Sequence, residues 1–454
     1  MKLNYFGTDG IRGKVGDGCL LNDDFVRRVG YGLAAFLKKH NQAKPITVVI
    51  GRDTRESGEH LEALVTEGLC MSSIHIVRLG VTPTPGVSMS LRDLHADLGI
   101  AITASHNPAS DNGIKLFDNR GLKFPAEAEV EIEGFIDTAQ VDPKGHSCRC
   151  AHDYDGAAFY INVLRSMMHH GCMKGWDVVL DTANGATSKT SPEVFRHFGA
   201  NVFQVGAEPD GQNINDGVGS EHPEKLAALV QEQGAHLGIA HDGDGDRLVV
   251  CDELGRIVDG DQLLGVLAIY GIRTGRLRHQ TLVTTVQSNM GLDRAIESAG
   301  GRVVRTSVGD RNVLHHMLEK DFNFGGESSG HLIFRDYSVA GDGLLGAIQL
   351  IALLLEVKRP LSELVDAIEL FPQVSTAVKV EEKIPLDECP TMCRVMGELN
   401  ETLVGKGRIL VRYSGTEPKL RLLAEGETQA LAEEAIAKLK AAAEADLSVI
   451  SQPV

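Results

Sequence analysis

Apolar residues are spaced along the chain in a pattern that occurs three times. A short apolar run, at 45–51, 176–181 and 281–286, is followed by a segment with helical spacing and then by a second short run. The helical segments are 57–71, 192–198 and 290–299, and the second runs are 73–79, 201–205 and 302–306. Strands that alternate with helices across glycine-containing turns are typical of crossover units in α/β layers. The pattern predicts three related α/β mixed-sheet domains at residues 1–150, 151–255 and 256–370.

The last part of the chain has a different pattern. Strand-like runs surround a helix near 386–403, and an Ala/Glu/Lys-rich helix follows at 428–445. This order predicts a smaller C-terminal α+β domain at residues 371–454. The most apolar stretch, 343–355, would form a helix of roughly 20 Å, shorter than the ~30 Å hydrocarbon core of a bilayer, so we expect a buried helix there.

Each predicted domain contains one polar loop between apolar strand-like runs. The four loops are 103–108, 242–247, 325–331 and 412–418. Catalytic residues tend to lie on loops that a rigid scaffold holds in place. Because the four loops carry different chemistry, we expect them to form the walls of one central cleft.

The second loop places Asp242, Asp244 and Asp246 between glycines. Three carboxylates this close repel one another unless a cation neutralises them, and a ligand set of oxygens alone suits Mg²⁺, Ca²⁺ or Mn²⁺. An EF-hand loop is the alternative, since Glu253 falls at its twelfth position, but Arg247 occupies the sixth position where that loop needs glycine. A solvated acidic turn is the simpler interpretation. The strand-like flanks favour a hairpin-like metal loop.

Ser105 ends the apolar run 98–104 and so lies at the end of a strand. It could belong to an ordinary turn or act as a hydrolase nucleophile, although Gly-x-Ser-x-Gly is absent and an adjacent His106 does not make a catalytic pair. It could also carry a phosphoryl group. A phosphoserine would bring about −1.5 to −2 charges to the three carboxylates and supply a further metal ligand.

Three cations accompany these loops. Strand alternation turns Lys115 away from Ile114 and Leu116, so Lys115 can face the cleft. Arg12 is presented within a glycine-rich run at 7–13, and Arg247 follows the acidic loop directly. Each could be a simple surface cation. Together they suit a phosphorylated ligand.

The third loop places Glu327, Ser329 and His331 at alternate positions. A carboxylate can accept hydrogen bonds from two sugar hydroxyls, and serine adds a donor and an acceptor. A Gly/Ser hairpin turn is the simpler alternative. We interpret the loop as a sugar-binding segment.

The fourth loop combines an arginine with hydroxyls and a flexible glycine. Arg412 can grip two oxygens of an anion, and Ser414, Gly415 and Thr416 supply hydroxyls and turn amides around it. Arg421 adds a second clamp. This pattern predicts a phosphate cradle.

Composition restricts the partners. The chain of 454 residues has a net charge of −17, which argues against a general nucleic-acid or anionic-membrane binder. The N-terminus has no apolar signal region, and eight scattered cysteines favour reduced thiols in a cytoplasm. The cluster His146, Cys148, Cys150 and His152 is interpreted as linker rather than a zinc site, because a CxxC pair is absent.

Together the four loops, in this order, resemble the α-D-phosphohexomutase superfamily over nearly the whole chain. In that superfamily 103–108 corresponds to the phosphoserine loop, 242–247 to the metal loop, 326–331 to the sugar loop and 412–418 to the phosphate loop. Milder signatures at 6–13, 208–215, 288–292 and 308–311 favour an amino sugar as substrate. Ser328 and Tyr413 depart from common family residues near the substrate, so mannose and glucose phosphates remain the alternative.

The resemblance implies an isomerase that interconverts glucosamine 6-phosphate and glucosamine 1-phosphate and supplies the amino-sugar precursor of UDP-N-acetylglucosamine and cell wall. Phosphorylated Ser105 would donate its phosphoryl group, and a sugar 1,6-bisphosphate would be the intermediate and activator. Mg²⁺ would be held by Ser105 and the three aspartates. Implied catalytic residues are Ser105, Lys115, His331, Arg12 and Arg247. Implied substrate-binding residues are His106, Gly309, Glu327, Ser329, Arg412, Ser414, Gly415, Thr416 and Arg421.

The implied partner is a small phosphosugar, with neither nucleic acid nor membrane involved. A homodimer is compatible with the resemblance, but the sequence does not determine the oligomeric state. Two rival classes remain at this point: a serine hydrolase with Ser105 as nucleophile, and a non-catalytic protein that binds calcium or a phosphosugar.

Overall fold

The structure, a computed structural model, describes residues 3–41, 45–70, 74–140, 151–414 and 418–450. Four separate sheets follow one another along the chain, so the predicted architecture of three α/β units and a smaller α+β unit is confirmed. No helix within the described ranges combines the length and the apolar character that a membrane crossing needs. A cytoplasmic location stays a prediction.

The first sheet has seven strands in the order β1-β2-β6-β5-β3-β4-β7. Its centre is parallel (β3 with β4 and β5), whereas β6 runs antiparallel to β5 and β2. Asn22 caps the first helix by accepting a hydrogen bond from the Phe25 amide, which satisfies one of the free N–H groups there. The strands are β1 (Phe6–Gly7), β2 (Gly10–Lys14), β3 (Ile46–Arg52), β4 (Ile74–Val81), β5 (Leu98–Ile102), β6 (Asp111–Asp118) and β7 (Ala151–Asp153). The helices are α1 (Asp23–His40), α2 (Gly58–Leu69), α3 (Thr84–Asp93) and α4 (Ala126–Thr138).

The second and third sheets each have four strands and repeat one plan. Three strands are parallel, and the last strand, β11 or β15, pairs antiparallel and so closes a hairpin at the sheet edge. The second sheet contains β8 (Asp177–Asp181), β9 (Asn201–Val205), β10 (Leu237–Ala240) and β11 (Val249–Cys251), with α5 (Gly156–Arg165), α6 (Thr190–His197) and α7 (Glu224–Gln233). The third contains β12 (Thr281–Thr285), β13 (Arg302–Thr306), β14 (Phe324–Gly326) and β15 (Leu332–Phe334), with α8 (Gly260–Arg273), α9 (Met290–Ser298), α10 (Asp310–Lys320), α11 (Gly343–Val357) and α12 (Leu361–Val365).

The C-terminal unit is a three-stranded antiparallel sheet in the order β16-β18-β17. It contains β16 (Gln373–Lys379), β17 (Gly407–Tyr413) and β18 (Lys419–Gly426), with α13 (Pro390–Thr402) and α14 (Gln429–Asp446). Short 3-10 turns lie at Arg278–Gln280 and Leu386–Glu388. Because every residue of β17 pairs with a residue of β18, residues that face each other across the two strands form a rigid ladder.

The hydrophobic core of the C-terminal unit is separate from the core that the second and third units share. One cluster joins the second and third units and contains α11, so the apolar run at 343–355 is a buried helix, as predicted. The C-terminal unit has its own cluster between its sheet and α13 and α14, and this cluster shares no residue with the larger one. The C-terminal unit is therefore a separately packed body.

The extent of the first sheet and the state of the cysteines add to or differ from the sequence predictions. β7 pairs with β4, so the first sheet includes residues just past 150; the domain boundaries themselves stay a prediction. Cys70 is disulfide-bonded, so the prediction of reduced thiols is wrong at this position. The cysteines at 19, 172, 251, 389 and 393 carry free thiols. Of the predicted linker cluster, His146, Cys148 and Cys150 lie outside the described residues, and His152 lies in β7.

Candidate active site

The three aspartates lie between β10 and β11, which pair antiparallel, so the hairpin-like interpretation of this loop is correct and the EF-hand alternative is wrong. Asp242, Asp244 and Asp246 are buried, and one carboxylate oxygen from each lies within 4.8 Å of the others. Gly243 is required here, because a Cβ at this position would lie 2.6 Å from the Ser105 carbonyl oxygen. Gly245 has a φ of +76°, a conformation that side chains disfavour.

The electrostatics of this loop fit a bound cation. Burial, and then the charges of Asp246 and Asp244, raise the pKa of Asp242 to about 8. Oδ1 of Asp244 is buried and, among the described residues, has no hydrogen-bond partner. A buried acceptor without a partner is costly, and a divalent cation with oxygen ligands would satisfy it while lowering the repulsion. The residues present therefore fit Mg²⁺.

Ser105 lies at this metal loop although it belongs to the first sheet. It follows β5 in a left-handed conformation with a φ of 54°, and its side chain is 1% exposed. Its Oγ donates to Oδ2 of Asp242 at 2.5 Å. The nearest imidazole nitrogen, Nδ1 of His106, lies 3.3 Å from Oγ, and burial followed by the charge of Arg247 lowers the pKa of His106 to about 4. His106 is therefore a poor base for a serine nucleophile.

A buried arginine holds the Ser105 loop in place. Arg55 pairs with Asp53 at 2.8 Å and donates to the carbonyl oxygens of Ser105, Asn107, Pro108 and Asp111. Nδ2 of Asn215, from the second unit, also donates to the Ser105 carbonyl at 2.9 Å. Sequence reasoning missed Arg55 and included Asn215 only as the last residue of the signature at 208–215, without a role. Both act on backbone atoms far away in the chain, which no local pattern reveals.

Lys115 lies among the carboxylates, on the cleft side that strand alternation predicted. Its Nζ is 2.6 Å from Asp244, 2.9 Å from Asp246 and 3.0 Å from Asp9. Burial alone would lower the pKa of Lys115, but these three carboxylates raise it well above its usual value. Lys115 therefore carries a full positive charge. Thr84, at the start of α3, also donates to Asp244 at 2.6 Å.

The sugar loop joins the metal loop through His331. Nε2 of His331 lies 3.0 Å from Asp246, and Nδ1 lies 3.3 Å from Glu327. Burial opposes protonation, but Asp246 and Glu327 raise the pKa of His331 to about 10. The backbone of Arg247 pairs with that of His331 as an isolated antiparallel bridge, so the two loops are directly connected.

The two other predicted residues of the sugar loop differ in exposure: Glu327 is buried, whereas Ser329 is exposed. Glu327 is 8% exposed and accepts a hydrogen bond from the Gly309 amide at 2.9 Å, which places Gly309 beside the sugar loop. Ser329 is exposed, with Oγ 3.3 Å from Nδ1 of His331. The exposed side chain of Ser329 is free to meet a ligand.

A second charged cluster links the first and third units. Asp9 pairs with Arg12, Lys115 and Lys123, and Lys123 continues to Asp310 at 2.7 Å. The sequence pointed to Arg12 but not to Lys123 or Asp310. The signal present was weak: Asp9 and Asp310 each lie in a glycine-bearing signature, whereas Lys123 lies in none.

The phosphate loop stands apart from the other three. Arg412 and Arg421 face each other across β17 and β18, and neither forms an ion pair within the described part of the chain. Burial and the neighbouring Arg421 charge lower the pKa of Arg412. Ser414 is 4% exposed, and its carbonyl accepts from Lys383 at 2.6 Å. Gly415 and Thr416 lie outside the described residues.

Two adjacent arginines without an acidic partner in the described residues fit the predicted phosphate cradle, whose role stays a prediction. No hydrogen bond or ion pair among the described residues joins Arg412 or Arg421 to the other three loops. The structure thus brings the predicted phosphoserine, metal and sugar loops together, and it places the predicted phosphate cradle on the separately packed C-terminal unit.

Comparison with protein families matches each unit in turn. The matches are phosphoglucomutase/phosphomannomutase alpha/beta/alpha domain I at residues 3–142, domain II at 159–255, domain III at 259–371 and the C-terminal domain at 376–442. The chain belongs to the phosphoglucomutase/phosphomannomutase family. This is a family of enzymes, which excludes the non-catalytic binding protein.

Within this family, the chain is similar over nearly its whole length to relatives named phosphoglucosamine mutase. The chain is 44% identical over 444 residues to the phosphoglucosamine mutase of Anoxybacillus flavithermus, covering 96% of this chain and 98% of that protein. It is 42% identical over 439 residues to the phosphoglucosamine mutase of Syntrophotalea carbinolica, covering 95% of each.

Solved structures share the fold. A phosphoglucomutase/phosphomannomutase family protein from Burkholderia thailandensis has a TM-score of 0.81 at 23% identity, covering 99% of this chain and 100% of that one. The N-acetylphosphoglucosamine mutase of Aspergillus fumigatus, solved with GlcNAc-6P and magnesium, has a TM-score of 0.65 at 17% identity, covering 98% and 96%. A serine-to-alanine variant of that enzyme was solved with glucose 1,6-bisphosphate, with a TM-score of 0.63 at 17% identity and the same coverage.

Proposed function

We propose that the protein is a phosphoglucosamine mutase that interconverts glucosamine 6-phosphate and glucosamine 1-phosphate through a phosphoserine at Ser105. The observation that carries the proposal is the contact of 2.5 Å between Ser105 Oγ and Asp242, inside a cluster of three carboxylates. A serine that served as a hydrolase nucleophile would need a base, and its partner here is a carboxylate of a metal site. The identity of 42–44% to relatives named phosphoglucosamine mutase supports the substrate.

The reaction consists of two phosphoryl transfers, and a different phosphoryl group moves in each. The hydroxyl of the sugar monophosphate attacks the phosphorus on Ser105, a sugar P–O bond forms as the serine P–O bond breaks, and the hydroxyl proton leaves to a neighbouring group. The product is the 1,6-bisphosphate. After it turns over in the cleft, Ser105 takes back the other phosphoryl group, and the sugar oxygen regains a proton. Atoms balance without any further reactant.

Mg²⁺ held by Asp242, Asp244, Asp246 and the phosphorylated Ser105 would neutralise charge on the transferring group. The protein's own cations act alongside. Lys115 is buried and charged beside the carboxylate cluster, and Arg247 comes directly after Asp246 in the chain. Both therefore stabilise the negative charge that moves during phosphoryl transfer.

Proton transfer at the sugar hydroxyl is assigned to Lys115 and His331. Asp244 and Asp246 raise the pKa of Lys115, and Asp246 raises that of His331; a cation bound to these carboxylates would lower both pKa values and so allow the hydroxyl proton to be taken up. Both lie within 3.0 Å of Asp246 and contact different oxygens of its carboxylate: Lys115, from the first unit, contacts Oδ2, and His331, from the sugar loop, contacts Oδ1. His331 also contacts Glu327, whose carboxylate is the proposed acceptor for sugar hydroxyls. His331 therefore adjoins both the sugar and the reacting phosphoryl group.

The non-reacting phosphate is assigned to Arg412, Arg421 and Ser414, with Gly415 and Thr416 completing the loop. The two arginines lack acidic partners in the described residues, so an anion would relieve their mutual repulsion. The same cradle has to hold either phosphate of the bisphosphate in turn. Closure of this unit over the cleft would exclude water, which could otherwise hydrolyse the phosphoserine.

Substrate choice is tested by a side-by-side assay of glucosamine, mannose and glucose 6-phosphates with Mg²⁺ and the matching 1,6-bisphosphates. We expect the highest kcat/KM for glucosamine 6-phosphate. A higher kcat/KM for mannose or glucose phosphate would assign the protein to that branch of the family. Ser105→Ala is the control, and full activity in this variant would overturn the phosphoserine mechanism.

A further inference from the structure

The segment 288–291, which leads from β12 into α9 of the third unit, forms non-covalent contacts with the C-terminal unit. Its backbone groups and the Asn289 side chain contact α8, the linker that precedes β16, and strands β17 and β18. These contacts cross between two bodies whose hydrophobic cores share no residue. Arg294 on α9 adds contacts to the Gly405 carbonyl at 3.0 Å and to Glu427 at 2.8 Å, so polar contacts at the start of α9 help to set the orientation of the C-terminal unit.

The side-chain amide of Asn289 forms two hydrogen bonds with the backbone of Phe371, in the linker that precedes β16. Nδ2 donates to the Phe371 carbonyl at 2.9 Å, and the Phe371 amide donates to Oδ1 at 2.9 Å. Asn289 is 4% exposed, and its own amide donates to buried Asp261 on α8 at 2.8 Å. This reciprocal pair fixes both the position and the direction of the linker backbone.

Gly291 allows the linker to pack directly on α9. A Cβ at this position would lie 2.1 Å from the Glu369 carbonyl oxygen and 2.8 Å from the Leu370 Cα. Any side chain here would push the linker away. The close approach explains why a glycine follows Asn289 and Met290.

The C-terminal unit supplies the other side of the contact. Glu425, which is fully buried, accepts from the Met290 amide at 2.9 Å and pairs with Arg408 at 2.9 Å. Arg408 also donates to the Ser288 carbonyl at 2.5 Å. The carboxylate of Glu425 therefore lies at the N-terminus of α9, where exposed amides favour negative charge.

The same ladder that carries this pair also carries the phosphate cradle. Arg408 faces Glu425 and Arg412 faces Arg421 across β17 and β18. Residues four apart on a strand share a face, and the two pairs are separated by about 13 Å. A rotation of about 10° at the first pair would thus move the cradle by about 2 Å along this rigid ladder.

We propose that Asn289, Arg408 and Glu425 form a latch that positions the phosphate-binding arginines relative to the sugar and metal loops. They are positioning residues, since they act on the substrate only through Arg412 and Arg421. The functional part of this inference rests on the proposed mutase activity. The structural part, that the latch holds the linker, does not.

The structural part is tested by digestion with a protease specific for glutamate. Glu369 is exposed, but cleavage after it requires the linker backbone to leave α9. Loss of two hydrogen bonds in Asn289→Ala should raise the rate of appearance of the fragment that begins at Leu370 by about tenfold. Asn323→Ala is the matched control, because Asn323 clasps the Arg278 amide at 2.9 Å and the Arg276 carbonyl at 3.0 Å within the third unit.

The functional part is tested with the double variant Arg408→Met/Glu425→Gln, which removes both charges so that no buried carboxylate is left unpaired. We expect KM for glucosamine 1-phosphate to rise about tenfold, as for a displaced charge-assisted phosphate contact. The Mg²⁺ concentration for half-maximal activity should match wild type, because the aspartates are untouched. A general loss of folding would instead lower the apparent kcat and leave both values unchanged, because only the folded molecules bind and turn over substrate.

The outcomes separate the two claims. Equal cleavage rates after Glu369 in wild type, Asn289→Ala, Asn323→Ala and the double variant would overturn the latch. An unchanged KM in the double variant would overturn its positioning role. If Asn289→Ala does not fold, the rate of cleavage after Glu369 is compared between wild type and the double variant, which weakens the latch from the C-terminal unit. If wild type turns over none of the sugar phosphates, the proposed function fails, and the cleavage rates still decide on the latch.

Discussion

Binding of Mg²⁺ to the dephosphorylated protein should release a proton from Asp242. Burial and the charges of Asp246 and Asp244 raise the pKa of Asp242 to about 8. One pH unit below its pKa a carboxyl is about ten-elevenths protonated, so at pH 7 the metal-free protein holds ~0.9 proton there. A metal ligand must be deprotonated, so Mg²⁺ binding should release ~0.9 proton at pH 7 and only ~0.1 at pH 9.

Calorimetric titration in buffers with different ionisation enthalpies measures this number directly. The protein is treated with phosphatase first, so that Ser105 presents a free hydroxyl to Asp242. Asp242→Asn is the control and should bind Mg²⁺ more weakly, with almost no proton release at either pH. A release near zero at pH 7 in wild type, or an equal release at pH 7 and pH 9, would refute the reasoning about the carboxylate cluster.

Three further predictions concern other parts of the site. Arg412→Ala should raise KM for either glucosamine phosphate by about 10- to 100-fold, because a charge-assisted phosphate contact is lost, and unchanged steady-state kinetics would argue against the cradle. Lys123→Met leaves Asp9 and Asp310 without their shared cation, so urea denaturation should show a loss of about 3 kcal/mol, whereas exposed Lys320→Met should show almost none. Burial raises the pKa of Asp261 from 3.8 to about 6, so its carboxyl favours folding when protonated and this contribution is lost as pH rises between those values. Asp261→Asn should thus be more stable than wild type by up to about 3 kcal/mol at pH 8, with the difference vanishing below pH 4; a difference independent of pH would contradict this assignment.

Local patterns predicted the elements well where period and turn signals agreed. The strands at 201–205 and 302–306 match β9 and β13 in the structure, and helix 290–299 matches α9 within a residue. Alternation correctly turned Lys115 toward the cleft, since its neighbours Ile114 and Leu116 pack in the core. These features depend on contacts between residues close in sequence, which a single chain displays directly.

Long-range polar contacts were beyond sequence reasoning. Lys115 could be placed in the cleft, but its position between Asp244 and Asp246 depends on how two sheets pack. The alternation of Glu327, Ser329 and His331 predicted a shared side, yet only Glu327 and His331 are buried together, because the loop turns Ser329 outward. The pairing of Arg408 with Glu425 depends on strand register, for which the surrounding residues carry no distinct signal.

The latch also gives a role to a signature that the sequence could only associate with a substrate. Among the described residues, no hydrogen bond or ion pair joins residues 288–292 to Ser105, Lys115 or His331. Their amides and the Asn289 side chain hold the C-terminal unit instead. A signature can therefore mark a mechanical joint rather than a chemical group.

The central claim is that Ser105 gives its phosphoryl group to an aminosugar phosphate. The most direct test is a single-turnover experiment with protein that carries ³²P on Ser105, confirmed by peptide mass spectrometry, mixed with Mg²⁺ and excess glucosamine 1-phosphate. The account predicts that label leaves the protein and appears in glucosamine 1,6-bisphosphate and glucosamine 6-phosphate. Label that stays on the protein, or that appears only as inorganic phosphate at a rate independent of the sugar, would contradict it.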